Sequence, residues 1–368
     1  MSVLKRMYRG ETDFDFVRAA QKTLIVSAVL VVLSLVLLVS RPLNLSIDFT
    51  GGTVVVAVNE TDATVEQVRA AMSDIGLAGA RVQLTGEGFI RVQTEALEAG
   101  PQDEMIAAVG GVAGVSVNEV TVSAVGPSFG EEVRNAALLA LGIFLLVVSL
   151  YITWRFEWKM ALAALAALFH DLIITGGIFA AFQFVVSPAT VIAVLTIMGY
   201  SLYDTVVVFD KVNENVEHMQ DRYNYTEIVN TSMNEVLMRS INTSLTSLLP
   251  VGSLLIIGSL AFGAETLREF ALALFVGISL GTYSSIFVAT PLLARWKERE
   301  EEWERARRRV DRRRATGQME REPVAAVAVA DDSVMTEEPA AQAPTAPPAG
   351  SGATGAMPRP PKKRNKRR

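Results

Sequence analysis

The stretch NAALLALGIFLLVVSLYITW, residues 135–154, runs for 20 positions without a charged side chain and is bracketed by Arg134 and Arg155. At 1.5 Å per residue such a helix is about 30 Å long, the thickness of a bilayer's hydrocarbon core. Five further apolar runs of membrane length with few or no charges occupy residues 23–40, 160–186, 189–209, 240–262 and 270–294. Soluble cores rarely need so many uncharged runs of membrane length. The sequence therefore predicts an α-helical integral membrane protein with six transmembrane helices. Half of the residues are hydrophobic and mean hydropathy is +0.32.

Run 23–40 is too long for the apolar core of a secretory signal, and no small-residue cleavage site precedes Arg41-Pro42. It is expected to stay as a span. The chain has no cysteine, which excludes disulfides and cysteine-bound metals. Lysine and arginine are unevenly shared between the connections. Lys5, Arg6, Arg9, Arg18 and Lys22 precede the first run; Arg155 and Lys159 separate the second from the third. Lys211, Arg222 and Arg239 separate the fourth from the fifth, and Arg295 and Lys297 follow the sixth. All of these fall on one side, whereas the opposite short connections offer nothing around residues 183–188 and only Arg268 near the last turn. The positive-inside rule then places both termini, residues 1–22 and 295–368, in the cytoplasm, and residues 41–134 outside.

The external segment 41–134 shows alternating or β-branched strand patterns at 53–58, 80–84, 88–94 and 115–125, and helical spacing at 63–76 and 101–109. A Gly-Glu-Gly turn sits between the two middle strands, and Pro101 opens the second helix. The order β-α-β-β-α-β is the ferredoxin-like pattern. The connection 210–239 is polar, with apolar Ile228, Met233, Val236 and Leu237 at spacings that suit a surface helix leading into the fifth span. After Trp296 comes a charged helix candidate and then a Pro/Ala/Gly-rich tail, expected to remain unfolded by itself, that ends in PKKRNKRR. That basic end suits contact with anionic lipid headgroups or the ribosome, or serves solubility alone; nucleic acid is otherwise not an expected partner.

Ionisable groups inside apolar runs carry the chemistry, because a charge at the bilayer centre costs roughly 2.5–3.5 kcal/mol on insertion scales and normally faces the bundle interior. Asp204 lies within GYSLYD, with Tyr200 and Ser201 four and three residues before it and so on its helical face. Arg239 opens the fifth run and is followed by a hydroxyl-rich half-helix that includes Thr243. An Asp204–Arg239 pair would make a proton-driven switch or a static fastener of two helices. His170-Asp171 in the third run fits a hydrogen-bonded structural pair, since no second metal ligand of suitable spacing accompanies the histidine. Glycines within the runs, among them Gly277 and Gly281 in GISLG, permit close helix approach. An intramembrane aspartyl protease is excluded because neither HDLIIT nor GYSLYD supplies the GxGD-type loop. HExxH, GxSxG and P-loop motifs are absent as well. No enzymatic activity, metal or organic cofactor is expected, and protons are the expected coupling ion.

Five segments occur in one order: SIDFTGGT at 46–53, VGPSFGEEVRNAAL at 125–138, WRFEWKMALAALAALFHDLIITGG at 154–177, GYSLYDTVVVFDKVNEN at 199–215 and RSINTSLTSLLP at 239–250. Together they resemble the SecF family of protein-export membrane proteins, within the resistance-nodulation-division superfamily. The resemblance implies an accessory subunit of the Sec protein translocase in a bacterial cytoplasmic membrane, paired with SecD and attached to the SecYEG channel. YajC-type and YidC-type accessory proteins, a translocating preprotein and membrane lipids are the further implied partners. The implied work is use of the proton motive force in late steps of export. On this resemblance Asp204 and Arg239 are the proton-coupling residues, and Tyr200, Ser201, His170, Asp171 and Thr243 are supporting polar groups. Asp48, Gly51, Gly52, Gly126 and Pro127 form the structural link between the first span and the external domain. Tyr203 is larger than the family pattern beside the aspartate. The rival readings are a proton-coupled exporter of small molecules or lipids, for which 41–134 is small, and a non-transporting scaffold of the translocon.

Overall fold

In a computed structural model the chain is described over residues 14–84, 88–262 and 265–316. Lys5, Arg6, Arg9, the Gly86-Glu87 part of the predicted turn and the basic tail end lie outside the described residues. Six helices among them are long and apolar enough to cross a membrane, although several outrun their apolar stretches. Helix α1 (Phe16–Ser40) starts seven residues before its apolar run because Asp15 caps it, its carboxylate accepting from the Arg18 N–H. Helix α5 (Pro127–Arg155) begins on Pro127, a residue suited to a first helical turn. Helix α6 (Trp158–Phe182) stops short of residue 186, and Val185–Val186 forms a short strand, β6, instead. Helix α7 (Pro188–Met219) opens with a capping box of Ser187 and Thr190.

Within 210–239 the expected helix leading into the fifth span is present, but it is buried instead of lying on the surface, and the fourth span extends into the connection to meet it. Helix α7 continues to Met219, and helix α8 (Tyr225–Phe262) rises from Tyr225 through Pro250 without interruption. The two extensions hold each other: Asn215 donates to Ser232 and Glu235, and Ile228, Val229 and Met233 are fully buried. Helix α9 (Glu265–Ser284) runs through a π-turn at Ser285–Ala289 into α10 (Thr290–Lys297), so the sixth span is one 32-residue element, 266–297. A last amphipathic helix, α11 (Glu301–Ala315), lays Trp303, Ala306 and Val310 inward, with Trp303 edge-on to Tyr225. Arg314 donates to both carboxylate oxygens of Glu227, which holds its guanidinium above the ordinary arginine range.

Between α1 and α5 the chain passes through β1 (Asn44–Leu45), the single turn α2 (Ile47–Thr50), β2 (Gly52–Val58), α3 (Val65–Asp74), β3 (Arg81–Leu84), β4 (Phe89–Thr94), α4 (Ala99–Ala113) and β5 (Thr121–Val125). The last expected strand begins at Thr121 because a 3-10 turn, Val117–Glu119, takes up its start. Strands β2 to β5 form one antiparallel sheet in the order β3-β4-β2-β5. Helices α3 and α4 cover it through Val68, Met72, Met105 and Val109 against Val55, Ile90 and Val92, all at most 1% exposed.

A second, two-residue pairing joins this unit to the bundle: β1 runs parallel to β6, between α6 and α7. Arg81 of β3 donates to Asn44 of β1. Arg91 of β4 is buried, and burial holds its guanidinium below the ordinary arginine value. The Glu269 carboxylate of α9, and more weakly Asp48, oppose that shift.

Candidate functional site

Helices α6, α7 and α9 form the packed half of the bundle, and the intramembrane polar groups gather there. The contact between α7 and α9 is made possible by glycine. A Cβ on Gly281 would lie 2.8 Å from that of Ser201, and one on Gly277 would run into Ile197. This close approach lets short hydroxyl side chains on one helix reach the other.

Asp204 is 7% exposed on α7. Its Oδ1 accepts a 2.7 Å hydrogen bond from the Ser240 hydroxyl of α8, and its Oδ2 is buried without a partner among the described residues. Arg239 does not pair with it directly: the guanidinium donates to the Tyr203 hydroxyl at 3.0 Å on the exposed face. Ser240 was not singled out by the sequence, although a hydroxyl immediately after Arg239 at the start of an apolar run was the available signal.

The other expected polar groups divide between this carboxylate and a second one. Ser201 does not bond Asp204; its hydroxyl donates to Asp171 Oδ2 at 2.7 Å. Ser284, which the sequence reading passed over, donates to the same oxygen at 2.7 Å. His170 Nδ1 lies 3.0 Å from Asp171 Oδ1, and the imidazole stacks on Tyr283. The Tyr200 hydroxyl is buried without a partner among the described residues, beside the apolar cluster of Phe179, Ile197 and Ile278. Thr243 turns back on its own helix and donates to the Arg239 carbonyl. Thr205, next to Asp204, hydrogen-bonds Ser285 across to the π-turn, and Ser244 of α8 bonds Thr282 of α9. Helices α7, α8 and α9 are thus stitched by hydroxyls around two carboxylates.

The segment predicted to link the first span to the external unit is built on backbone approach. Gly51 and Gly52 have φ of +70° and +132°, conformations L side chains rarely adopt. A Cβ on Gly51 would meet the Pro127 Cα at 2.7 Å, so the turn after α2 lies directly on the start of α5. Gly126 caps that helix and Ser46 donates to Asp48 at 3.0 Å, closing the turn.

Two family descriptions match the chain. "Protein export membrane protein SecD/SecF, C-terminal" covers residues 105–299, and "SecD/SecF GG Motif" covers residues 36–57, which contain Gly51-Gly52. Among curated proteins the chain is similar to protein translocase subunit SecF of Streptomyces coelicolor, 41% identical over 314 residues that make up 85% of this chain and 84% of that one. The Mycobacterium tuberculosis (H37Rv) protein of the same name is 40% identical over 332 residues, 86% of this chain and 74% of that one. The crystal structure of SecDF, a translocon-associated membrane protein from Thermus thermophilus, superposes with a TM-score of 0.72 at 34% identity. That match covers 79% of this chain and 39% of the longer SecDF chain.

Proposed function

This chain belongs to the SecD/SecF family of protein-export membrane proteins and is a SecF-type translocase subunit, and we propose that, with SecD, it uses the proton motive force to promote late steps of preprotein export across a bacterial cytoplasmic membrane. In this reading no organic cofactor takes part, and the proton is the coupling ion. The SecYEG channel and its YajC-type and YidC-type accessories are its wider surroundings.

The observation that carries the proposal is Asp204: a carboxylate 7% exposed in a membrane-length helix, with one hydroxyl donor and one oxygen unpartnered among the described residues. A buried carboxylate so sparsely served is poised to take up a proton. Ionised, it draws on the guanidinium of Arg239 for compensation. Protonation removes that demand and frees α7 and α8 to move. Gly277 and Gly281, smooth points of contact between α7 and α9, give the helices a surface to slide on.

The unit between α1 and α5 is, on this reading, a ferredoxin-like domain on the trans side that meets the emerging polypeptide. Its support is the β-α-β-β-α-β order with an antiparallel sheet. The lysines and arginines gathered at the opposite ends of the helices support cytoplasmic termini. Motion in the bundle reaches the domain through the β1–β6 pairing, Arg81–Asn44 and the Gly51–Pro127 contact.

The test is Asp204→Asn, co-expressed with SecD in membrane vesicles holding a stalled preprotein. The expected result is normal assembly with loss of the completion that an imposed proton gradient drives. Completion at the parental rate would move the scaffold reading ahead.

A further inference from the structure

His170 and Asp171 are consecutive residues at the middle of α6, yet both point inward, 6% and 2% exposed. Neighbours on a helix diverge by about 100°, so one of them would ordinarily face lipid. Here α1, α7 and α9 all pack against α6, and both positions are covered.

The Asp171 carboxylate is fully engaged, with Ser201 and Ser284 on Oδ2 and His170 on Oδ1. Its ion-pair partner among the described residues is His170 alone. The imidazole, in turn, has a buried Nε2 with no hydrogen-bond partner among the described residues. The side chains bonded to the pair or stacked on it, Ser201, Ser284 and Tyr283, carry no permanent charge. Helix α1 brings Ser27, bonded to the Tyr283 hydroxyl of α9, and α7 brings Ser201, with Asp204 one turn further on. Tyr283, stacked on the ring, is the titratable side chain in contact with it, and Asp204 is the carboxylate one turn beyond Ser201 on α7.

A neutral imidazole beside an ionised carboxylate leaves one negative charge in the apolar bundle, a costly arrangement there. One proton added to the pair makes it neutral overall, whether the proton resides on the ring or on the carboxyl.

We propose that His170 and Asp171 form a second proton-binding dyad of the bundle, read out by the Ser201 and Ser284 hydroxyls, so that its protonation state biases the packing of α7 against α9. Uptake adds one proton from water to the pair and takes its charge from minus one to zero. Release returns the proton to water, and no electron moves. The hydroxyls stabilise the ionised carboxylate, so a shift of α7 or α9 that withdraws one of them raises proton affinity, and protonation in turn loosens their hold. Ser201 needs the space above Gly281, and Ser284 adjoins the π-turn, an irregularity frequent at functional sites. The same two helices carry Thr205 and Ser285, hydrogen-bonded to each other beside Asp204. The dyad and Asp204 therefore share one helix contact. Use of the dyad in export rests on the function proposed above; its proton binding does not.

The experiment is infrared difference spectroscopy between high and low pH on the complex with SecD in liposomes, in the Asp204→Asn background. A carboxyl or imidazole signal that titrates there and vanishes on adding Asp171→Asn is the expected result. Spectra of Asp204→Asn and Asp204→Asn/Asp171→Asn that superimpose overturn the proposal. Should Asp171→Asn fail to assemble, Ser201→Ala and His170→Gln serve instead. Ser201→Ala removes one hydrogen bond to the ionised form and raises proton affinity roughly tenfold, moving the midpoint up by about one pH unit. His170→Gln abolishes any imidazole signal. An unmoved midpoint in Ser201→Ala overturns the dyad, whereas gradient-driven completion in Asp204→Asn overturns the reading of Asp204 and leaves the dyad standing.

Discussion

The six spanning helices divide into two groups of three with different surroundings. Helices α6, α7 and the α9–α10 span are 56%, 44% and 56% buried over their apolar stretches, whereas α1, α5 and α8 are at 11%, 6% and 11%. Leucines and valines are abundant in both groups. What differs is the small and polar residue content at the contacts. Gly277 and Gly281 admit Ile197 and Ser201, and the serines and threonines that follow bridge helices. Helix α5, by contrast, presents Leu138, Leu139, Ile143, Leu146 and Leu150 outward. In a bilayer burying leucine gains little, because lipid tails are as apolar as the side chain, so close packing and hydrogen bonds decide which helices associate. The titratable chemistry follows from that, since Asp171 and Asp204 sit where hydroxyls are gathered.

Four substitutions break or sharpen this contrast. Gly281→Leu is the severest, because its side chain must enter the position of Ser201. Overpacking of this kind costs about 1–3 kcal/mol or more, and the expected outcome is a sharp fall in the thermal stability of the detergent-solubilised complex. Ser240→Ala comes next: it removes the hydrogen-bond donor of Asp204 and leaves a buried oxygen unsatisfied, a penalty of about 1–3 kcal/mol. Because the lost bond favours the ionised carboxylate, the pH profile of gradient-driven completion is expected to move to higher pH. Tyr203→Phe removes a half-exposed bond to Arg239, worth about 0.5–1.5 kcal/mol at most, and should leave assembly intact while changing the salt dependence of completion. Leu146→Ala on the outer face of α5 is the mildest, within about 0.5 kcal/mol. A larger loss of SecD in co-purification would mark that face as a subunit contact instead of a lipid-facing one.

The contrast was invisible in the runs themselves. Residues 135–154 and 160–186 read alike as apolar spans, yet one becomes almost wholly exposed and the other largely buried. Length and the absence of charge identify a span; they do not say what lies against it. The external strands were legible because alternation fixes which face of a sheet is buried, and Val55, Ile90 and Val92 fall where it requires. In 210–239 the helix entering the fifth span was legible from its apolar spacing, but its burial was not, because Asn215, Ser232 and Glu235 find their partners only between two helices.

The candidate site shows the same division. That Asp204, Arg239 and His170-Asp171 were special followed from the expense of an ionisable group in an apolar run. Their partners did not follow, because hydrogen bonds across 30 to 113 positions of sequence, as from Asp171 to Ser201 and Ser284, leave no local pattern. Local rules also misassigned Ser201: three residues from Asp204 it shares a helical face with it, but a hydroxyl on that face bonds whichever carboxylate the neighbouring helix brings within reach.

Six apolar spans, the alternating strands of the external segment and the charges that had to be answered inside the membrane can be read from the chain alone. These are consequences of periodicity, composition and the cost of unpaired polarity, all of which act locally. Only the tertiary structure decided which helices are inside and which carboxylate each hydroxyl serves. It also decided that Arg239 turns to Tyr203 instead of Asp204. Those choices depend on distances between helices, which close packing sets at points such as Gly281 and which no single stretch of chain contains.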